Sequence, residues 1–276
     1  MLRTFYYLVP FLLIGLLTGD GYAVIHSEVN LRELLPRDQK LIVVLLGPPG
    51  AGKGTQGSLL ARDFGIPHIS PGQLLRNEVA AQTVLGTQAS ALMKAGKFVP
   101  SDLILDVVFR RVSEEDAEQG YILDGFPRTT ELAKAFMAHQ YAHREEGGLD
   151  LQTPVDPPLL IVFNFTTSRE VVTQRLTHRR LCQKCEIEVT VQTNDPQTIE
   201  LCSQCGQPVV RRPDDHEEAI YQRFDLYVKN QADLEQSLFS HFSISTATID
   251  AEQQIESIHE QIITRILEVL LEKRVG

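Results

Sequence analysis

Leu41-Ile-Val-Val-Leu-Leu46 runs directly into Gly47-Pro-Pro-Gly-Ala-Gly-Lys53-Gly-Thr55-Gln56, and this junction constrains the fold more than any other stretch. A short apolar run rich in β-branched residues reads as a parallel strand buried on both faces. Glycines and prolines then impose a loop, after which Gly57 to Phe64 can continue as a helix. Strand, Gly-rich loop and helix together make a phosphate cradle. Backbone N–H groups and the helix N-terminus meet anionic oxygens, and Lys53 reaches the outer ones. Gly54 follows the lysine where the general pattern has Ser or Thr, and the hydroxyl comes one place later at Thr55.

The rest of the chain alternates strand and helix. Ile66 to Ser70 reads as a short strand and Pro71 onward as a helix with Ser70 at its N-cap. Thr83 to Lys94 has helical period and stops at Ala95-Gly96. A further helix runs from Leu103 to Val112, capped by Ser101 or Asp102. Gly120 to Asp124 is a strand that delivers its carboxylate to the C-terminal edge, where open α/β sheets bind ligands. A helix reaches about His139, and residues 140–157 form a loop. Pro158 to Phe165 is a strand and Ser168 to Arg179 a helix. A polar helix follows from about Asp214 to Leu238, then a last strand, Phe242 to Ile249, and a closing amphipathic helix, Ala251 to Leu271. This order predicts an α/β fold with a P-loop parallel sheet flanked by helices.

Hydrophobic residues make up 43% of the chain, enough for a sizeable core in one main domain with insertions. A net charge of −10 argues against sequence-independent nucleic-acid binding, while leaving room for a local arginine cluster that holds nucleotide phosphates. Residues 1–40 are a separate matter. Arg3 precedes an apolar run from Phe5 to Leu17 and a small residue at Ala23, a pattern similar to a secretory signal. An uncleaved membrane anchor and an overextended start are the alternatives, and residues 24–40 link this segment to the strand at Leu41.

All four cysteines fall in one window, as Cys182-Gln-Lys-Cys185 and Cys202-Ser-Gln-Cys205, with sixteen residues between the pairs. That spacing matches a closed four-thiolate zinc site, which is structural because it leaves no open coordination position. Two disulfides are the alternative. Ile187 to Val191 and Thr198 to Leu201 are expected to form a small hairpin between the knuckles.

From Leu41 to the C-terminus the chain resembles the adenylate kinases, the nucleoside-monophosphate kinase family, in their zinc-lid form. The resemblance rests on Gly47 to Gln56, Leu123-Asp-Gly-Phe-Pro-Arg-Thr129, Arg175-Leu-Thr-His-Arg179-Arg180, both knuckles, and Arg212-Pro-Asp-Asp215 with Arg223. It implies reversible transfer of the ATP γ-phosphoryl group to AMP, with Mg²⁺ accompanying ATP and Zn²⁺ in the lid. Gly50, Ala51, Gly52, Lys53, Gly54, Thr55, Arg175 and Arg179 would bind ATP. Pro71, Arg76, Lys97, Phe98, Val99, Gly125, Phe126, Pro127, Arg128, Leu132, Arg212 and Arg223 would bind AMP. Lys53, Asp124, Arg128, Arg179, Arg212 and Arg223 would act on the transferring group, Asp124 through Mg²⁺, while Asp214 and Asp215 orient the closed lid. Phosphoryl transfer needs alignment and charge neutralisation more than covalent help, which explains the weight of arginines. The resemblance also divides the chain into a core, an acceptor segment at 70–99 and a lid at 178–215. It implies a cytoplasmic monomer, whereas residues 1–40 keep export or membrane contact open.

Departures from that pattern cluster on the acceptor side. Pro71 stands where the family usually has Thr, Gln73 where it has Asp, and Leu132 where a glutamine hydrogen-bonds the adenine. Glu188-Val189 stands where the family often has Thr-Tyr near the ATP adenine. Phosphate grips are expected to be intact and base reading relaxed. Another nucleoside monophosphate, or a weakened nucleotide-binding protein, is the alternative.

Overall fold

The apolar run that opens the motif is the middle strand of the sheet. The computed structural model describes residues 31–34, 39–95, 97, 99–142, 158–185, 187–191, 200–239 and 244–275. The expected signal-like run at Phe5–Leu17 and the candidate contact Phe98 lie outside the described residues, as does most of the expected loop at 140–157.

β1 (Leu41–Leu46) is flanked by β3 (Gly120–Asp124) and β4 (Leu159–Thr166), while β2 (His68–Ile69) and the last strand (Ser245–Asp250) form the two edges. All four pairings in this five-stranded sheet are parallel. The chain builds one half of the sheet, then crosses β1 to build the other. Such a reversal opens a crevice at the carboxyl end of the central strand. Register fixes what lies there: Leu45 pairs with Asp124, so that carboxylate arrives beside the loop that begins at Gly47.

Strand alternation explains the two cores. Leu41, Val43 and Leu45 pack with Leu60 and Phe64 of α1 (Lys53–Phe64). Ile42, Val44 and Leu46 join a second cluster that involves α2 (Pro71–Ala80), α3 (Val84–Lys94), α4 (Ser101–Val112) and α5 (Thr130–Ala142). Behind β4 come α6 (Arg169–Thr177) and α7 (Glu217–Phe239), and α8 (Ile255–Val275) closes the first core with Ile258, Ile262 and Ile266. Burial of each such branched side chain contributes about 1.5–3 kcal/mol, which accounts for the unbroken apolar sequence of β1.

Several boundaries differ from the sequence reading for local reasons. α1 begins at Lys53, not after Thr55, because Gly52 takes a left-handed conformation (φ 84°) and ends the loop there. Ser70 stands at the N-cap of α2 but its side chain makes no capping bond, and Pro100, not Ser101 or Asp102, precedes α4. Thr83 does cap α3, accepting from Gly86 N. α6 stops at Thr177 because Arg179–Leu181 forms a strand, β5, antiparallel to β6 (Glu188–Thr190). The expected partner of that strand, Thr198–Leu201, instead meets the chain at a Leu201–Pro208 bridge; residues 192–199 lie outside the described set. α7 begins at Glu217, since Asp214 and Asp215 are engaged with arginines. No helix among the described residues is long and apolar enough to cross a membrane.

Candidate active site

At the cradle, two backbone features prepare an anion site. Gly50 (φ 78°) and Gly52 (φ 84°) adopt conformations that suit glycine, and a side chain at Gly50 would press on Leu176 of α6. Gly52 has no capping side chain and the first turn of α1 carries no acidic residue. The N–H groups of Lys53, Gly54 and Thr55 therefore have no intrahelical partner and no acidic side chain in their own turn, which leaves them suited to phosphate oxygens.

Lys53 is 8% exposed, and its Nζ donates to the carbonyls of Gly47 (2.9 Å) and Pro48 (2.7 Å). Burial lowers its pKa to about 8, with the Asp124 carboxylate opposing the shift and the Arg128 guanidinium adding to it. Phosphate oxygens at this position would restore the charge, which makes Lys53 responsive to an anionic ligand. Burial would raise the pKa of Asp124, yet the neighbouring His68 ring and Lys53 cation outweigh it and hold the carboxyl below its ordinary range. His68 Nε2 lies 3.4 Å from Asp124 Oδ2. Gly57 makes that approach possible, because a Cβ there would strike the His68 ring.

The second half of the site is an arginine cluster organised by carboxylates. Asp215, fully buried, accepts from Arg179 Nη2 (2.6 Å) and Nε (2.8 Å) and from Arg223 Nη2 (2.8 Å). Asp214 accepts from Arg212 Nη2 (2.7 Å) and Nε (3.0 Å) and from Arg223 Nη1 (2.9 Å). Paired N–H donors on one carboxylate fix the plane of each guanidinium. For Asp214 and Asp215 burial opposes ionisation, but the surrounding arginines hold both well below the usual carboxylate range. Arg179 is correspondingly raised: burial alone would lower it, and its Asp215 bonds prevail. Glu188, on β6, accepts from Arg212 Nη1 (2.5 Å) and, through both oxygens, from Arg179 Nη1.

A cleft of about 400 Å³ joins these parts. Its cationic lining is Lys53, Arg76, Arg128, Arg212 and Arg223. Its apolar lining includes Pro71, Leu75, Met93, Val99, Ile104 and Leu132, and Leu132 is 2% exposed. Lys97, Gly125, Phe126 and Pro127 also border it. Arg128 Nε donates to Gly125 O (2.7 Å), and Arg76 donates twice to Gln73 Oε1 (2.6 and 3.0 Å). Burial lowers Arg76 to about 10, and Arg212 adds to the shift. Gly50, Ala51, Gly52, Gly54 and Thr55 stand on the cradle beside the cleft. Arg175 is turned away from the cluster, donating to Ala251 O (2.8 Å).

Sequence reasoning missed part of this wall. Tyr227, Asn230, Gln231 and Leu234 of α7 line the cleft. They follow Arg223 at helical spacing, and that periodicity was the signal that could have placed them on its face. The clamp at Glu188 and the approach of His68 left no such trace.

The four cysteines converge with their Sγ atoms within 4.8 Å of one another, two of them buried. Cys182 and Cys205 Sγ are 3.5 Å apart and all four thiols are free, so the disulfide alternative does not hold. A tetrahedral zinc ion with Zn–S of about 2.3 Å sets its sulfurs about 3.8 Å apart, and this cluster is of that size. Crowding by Cys205 and the other thiols pushes Cys185 up to about 12. The residues fit a structural zinc site.

A parallel sheet with a P-loop at its central strand, a cleft lined by cations and apolar side chains, and a four-cysteine lid define a P-loop nucleotide phosphotransferase. The family model described as adenylate kinase matches residues 45–243. The adenylate kinase of Clostridium acetobutylicum is 36% identical over 220 residues, covering 80% of this chain and 96% of that protein. Those of Clostridium perfringens (36% over 222 residues; 80% and 95%) and Alkaliphilus oremlandii (34% over 224; 81% and 97%) are similarly related. The chain belongs to the adenylate kinase family.

Proposed function

We propose that the chain transfers the γ-phosphoryl group of ATP to AMP, reversibly, giving two ADP. The observation that carries this reading is the convergence of Lys53, Arg128, Arg212 and Arg223 on one cleft whose remaining lining is largely apolar. An AMP phosphate oxygen attacks the γ-phosphorus, the bond to the β–γ bridging oxygen breaks, and the electron pair leaves with ADP. Charge spreads over the equatorial oxygens during transfer, and the guanidiniums neutralise it without having to reorganise. The cradle amides of Gly50 to Thr55 and Lys53 hold ATP phosphates, and Arg179 acts on the same side; Arg175 joins it by exchanging its bond to the Ala251 carbonyl for ATP. Arg76 and Arg128 hold the acceptor phosphate, while Arg212 and Arg223 lie between the two nucleotides. Mg²⁺ arriving with ATP supplies further neutralisation, and Asp124, kept ionised at the sheet edge, is the carboxylate suited to it. The zinc ion, when bound, stiffens the lid. The segments at 70–99 and 178–215 act as acceptor clamp and lid around the core at 41–276, and closure excludes water that would hydrolyse ATP.

The apolar lining of the cleft supports relaxed base reading. Leu132 can pack against a purine but offers it no hydrogen bond, and Pro71 has no hydroxyl, so rejection of other bases is weaker than a polar pocket achieves. The partners are therefore ATP and AMP, with other nucleoside monophosphates as poorer acceptors. The net charge of −10 speaks against nucleic acid. Cytoplasmic residence follows from the supply of ATP and AMP, and residues 1–40 are the segment through which export or membrane contact would act. A coupled ADP-production assay across AMP, CMP, UMP and GMP tests the reading. AMP should give the highest kcat/KM, and turnover with AMP no better than with the others would defeat the AMP assignment.

A further inference from the structure

The arginines of the lid use their donors unequally. Arg179 spends Nε and Nη2 on Asp215, and Arg212 spends Nε and Nη2 on Asp214. These anchors are deep: the side chains of Asp215 and Asp214 are 0% and 14% exposed. The remaining terminal nitrogen of each arginine, Nη1, turns to the same third carboxylate, Glu188, whose side chain is 41% exposed. Two arginines are thus fixed in plane by buried aspartates and share one detachable anion between their outer edges. A carboxylate that bridges two guanidiniums spans them much as two oxygens of a phosphoryl group would. Glu188 lies on a three-residue strand opposite Leu181, and its carboxylate bonds only to guanidinium side chains, those of Arg179 on the neighbouring strand and of Arg212, among the described residues.

We propose that Glu188 is a phosphate placeholder: a positioning residue that holds Arg179 beside Arg212, at the wall of the cleft, and that substrate phosphates must displace. The proposal deepens the phosphotransfer reading and rests on it. A phosphoryl group carries more charge and more acceptor oxygens than a carboxylate, so it wins the exchange. Glu188 then returns to the arginines when product leaves. The residue sets affinity against turnover: it weakens nucleotide binding, keeps the arginines aligned and speeds release.

The structural alternative predicts the opposite sign. Were Glu188 only a strut of the lid, its loss would loosen the arginines and raise KM. As a placeholder, its neutralisation in Glu188→Gln lowers KM for ATP, on the order of two- to fivefold, the scale of a partly exposed ion pair. Glu188→Asp should restore wild-type KM in large part. Inorganic tripolyphosphate, titrated calorimetrically into wild type and Glu188→Gln, gives a readout that needs no catalysis. It should bind the variant more tightly by a similar factor. An unchanged or raised KM together with unchanged or weaker tripolyphosphate binding would overturn the proposal. If wild-type protein shows no AMP-dependent turnover, the phosphotransfer reading fails, and tripolyphosphate binding still decides the role of Glu188.

Discussion

Asp215 is the residue whose replacement most sharply tests how the arginine cluster is held. It is fully buried and takes three hydrogen bonds from Arg179 and Arg223. In Asp215→Asn the amide oxygen can keep the two bonds now made at Oδ1. The amide NH₂ would then face Arg179 Nε–H, donor against donor, and two guanidiniums would share one fewer negative charge. Breaking a buried ion pair from one side costs about 3–5 kcal/mol. Glu188 and Asp214 still neutralise part of the cluster, so the lower end, about 3 kcal/mol, is expected. For a chain of this size that is a fall in Tm of roughly 6–12 °C. Asp225→Asn provides the contrast, because its pair with Arg169 is exposed and should contribute under about 1 kcal/mol. Thermal and urea unfolding of the two variants, with kcat measured below both transitions, is the assay. Misaligned Arg179 and Arg223 should lower kcat by about 10²-fold, the loss typical of one preorganised donor. The pH dependence has a definite sign. Asp215 is depressed in the folded state, so its contribution is complete above the ordinary carboxylate pKa of 3.8 and is lost as pH falls through the folded value. The wild-type and Asp215→Asn stability curves should therefore converge in acid. Equal losses in Asp215→Asn and Asp225→Asn, or curves that run parallel down to low pH, would refute the reasoning.

Three further outcomes are expected. Purified, reduced protein should carry one zinc ion per chain by metal analysis, and Cys202→Ser or chelation should remove it and lower both Tm and activity; reduced wild type with no bound metal would end the zinc assignment. His259 joins α8 to α1, its Nε2 2.7 Å from Asp63 Oδ2 and its Nδ1 3.1 Å from Gln56 Oε1, so His259→Gln should cost about 1.5–3 kcal/mol at neutral pH. Burial would raise the pKa of Asp63, but its Arg62 and His259 partners outweigh it and hold the carboxyl below its ordinary range, so that cost should fade below about pH 4; a pH-independent difference in urea unfolding would contradict it. Gly57→Val should push His68 away from Asp124 and reduce kcat, whereas unchanged kinetics would show that the His68 approach is incidental.

What could be read from sequence follows from the range of each interaction. β1, β3 and β4 were legible because each is a short apolar run, β1 stopping at Gly47, β3 at Asp124 and β4 at the Thr-Thr-Ser before the next helix. The cradle was legible because glycine positions are dictated by backbone geometry within ten residues. The knuckles fell to spacing alone. By contrast, the start of α7 at Glu217 was not legible: Asp214 and Asp215 look like ordinary first-turn acids, and only the fold shows that Arg179, more than thirty residues earlier, claims Asp215. The partner of β6 was assigned by proximity in sequence, yet β5 took it because α6 ends at Thr177 and sends Arg179–Leu181 alongside. Ser70 and Ser101 had the right chemistry for caps and the wrong geometry. Glu188 could not be found by any local pattern, since its meaning depends on two arginines whose other donors are already spent.

The central claim is that one cleft aligns two nucleotides for direct phosphoryl transfer. Following nucleotides by phosphorus NMR in a mixture of ATP, AMP, Mg²⁺ and purified protein tests it most directly. Each ATP consumed should appear as two ADP, with no ATP loss when AMP is omitted and no transfer by Lys53→Met above about 1% of wild type. Release of inorganic phosphate without AMP, or ATP loss that does not yield two ADP, would contradict the account.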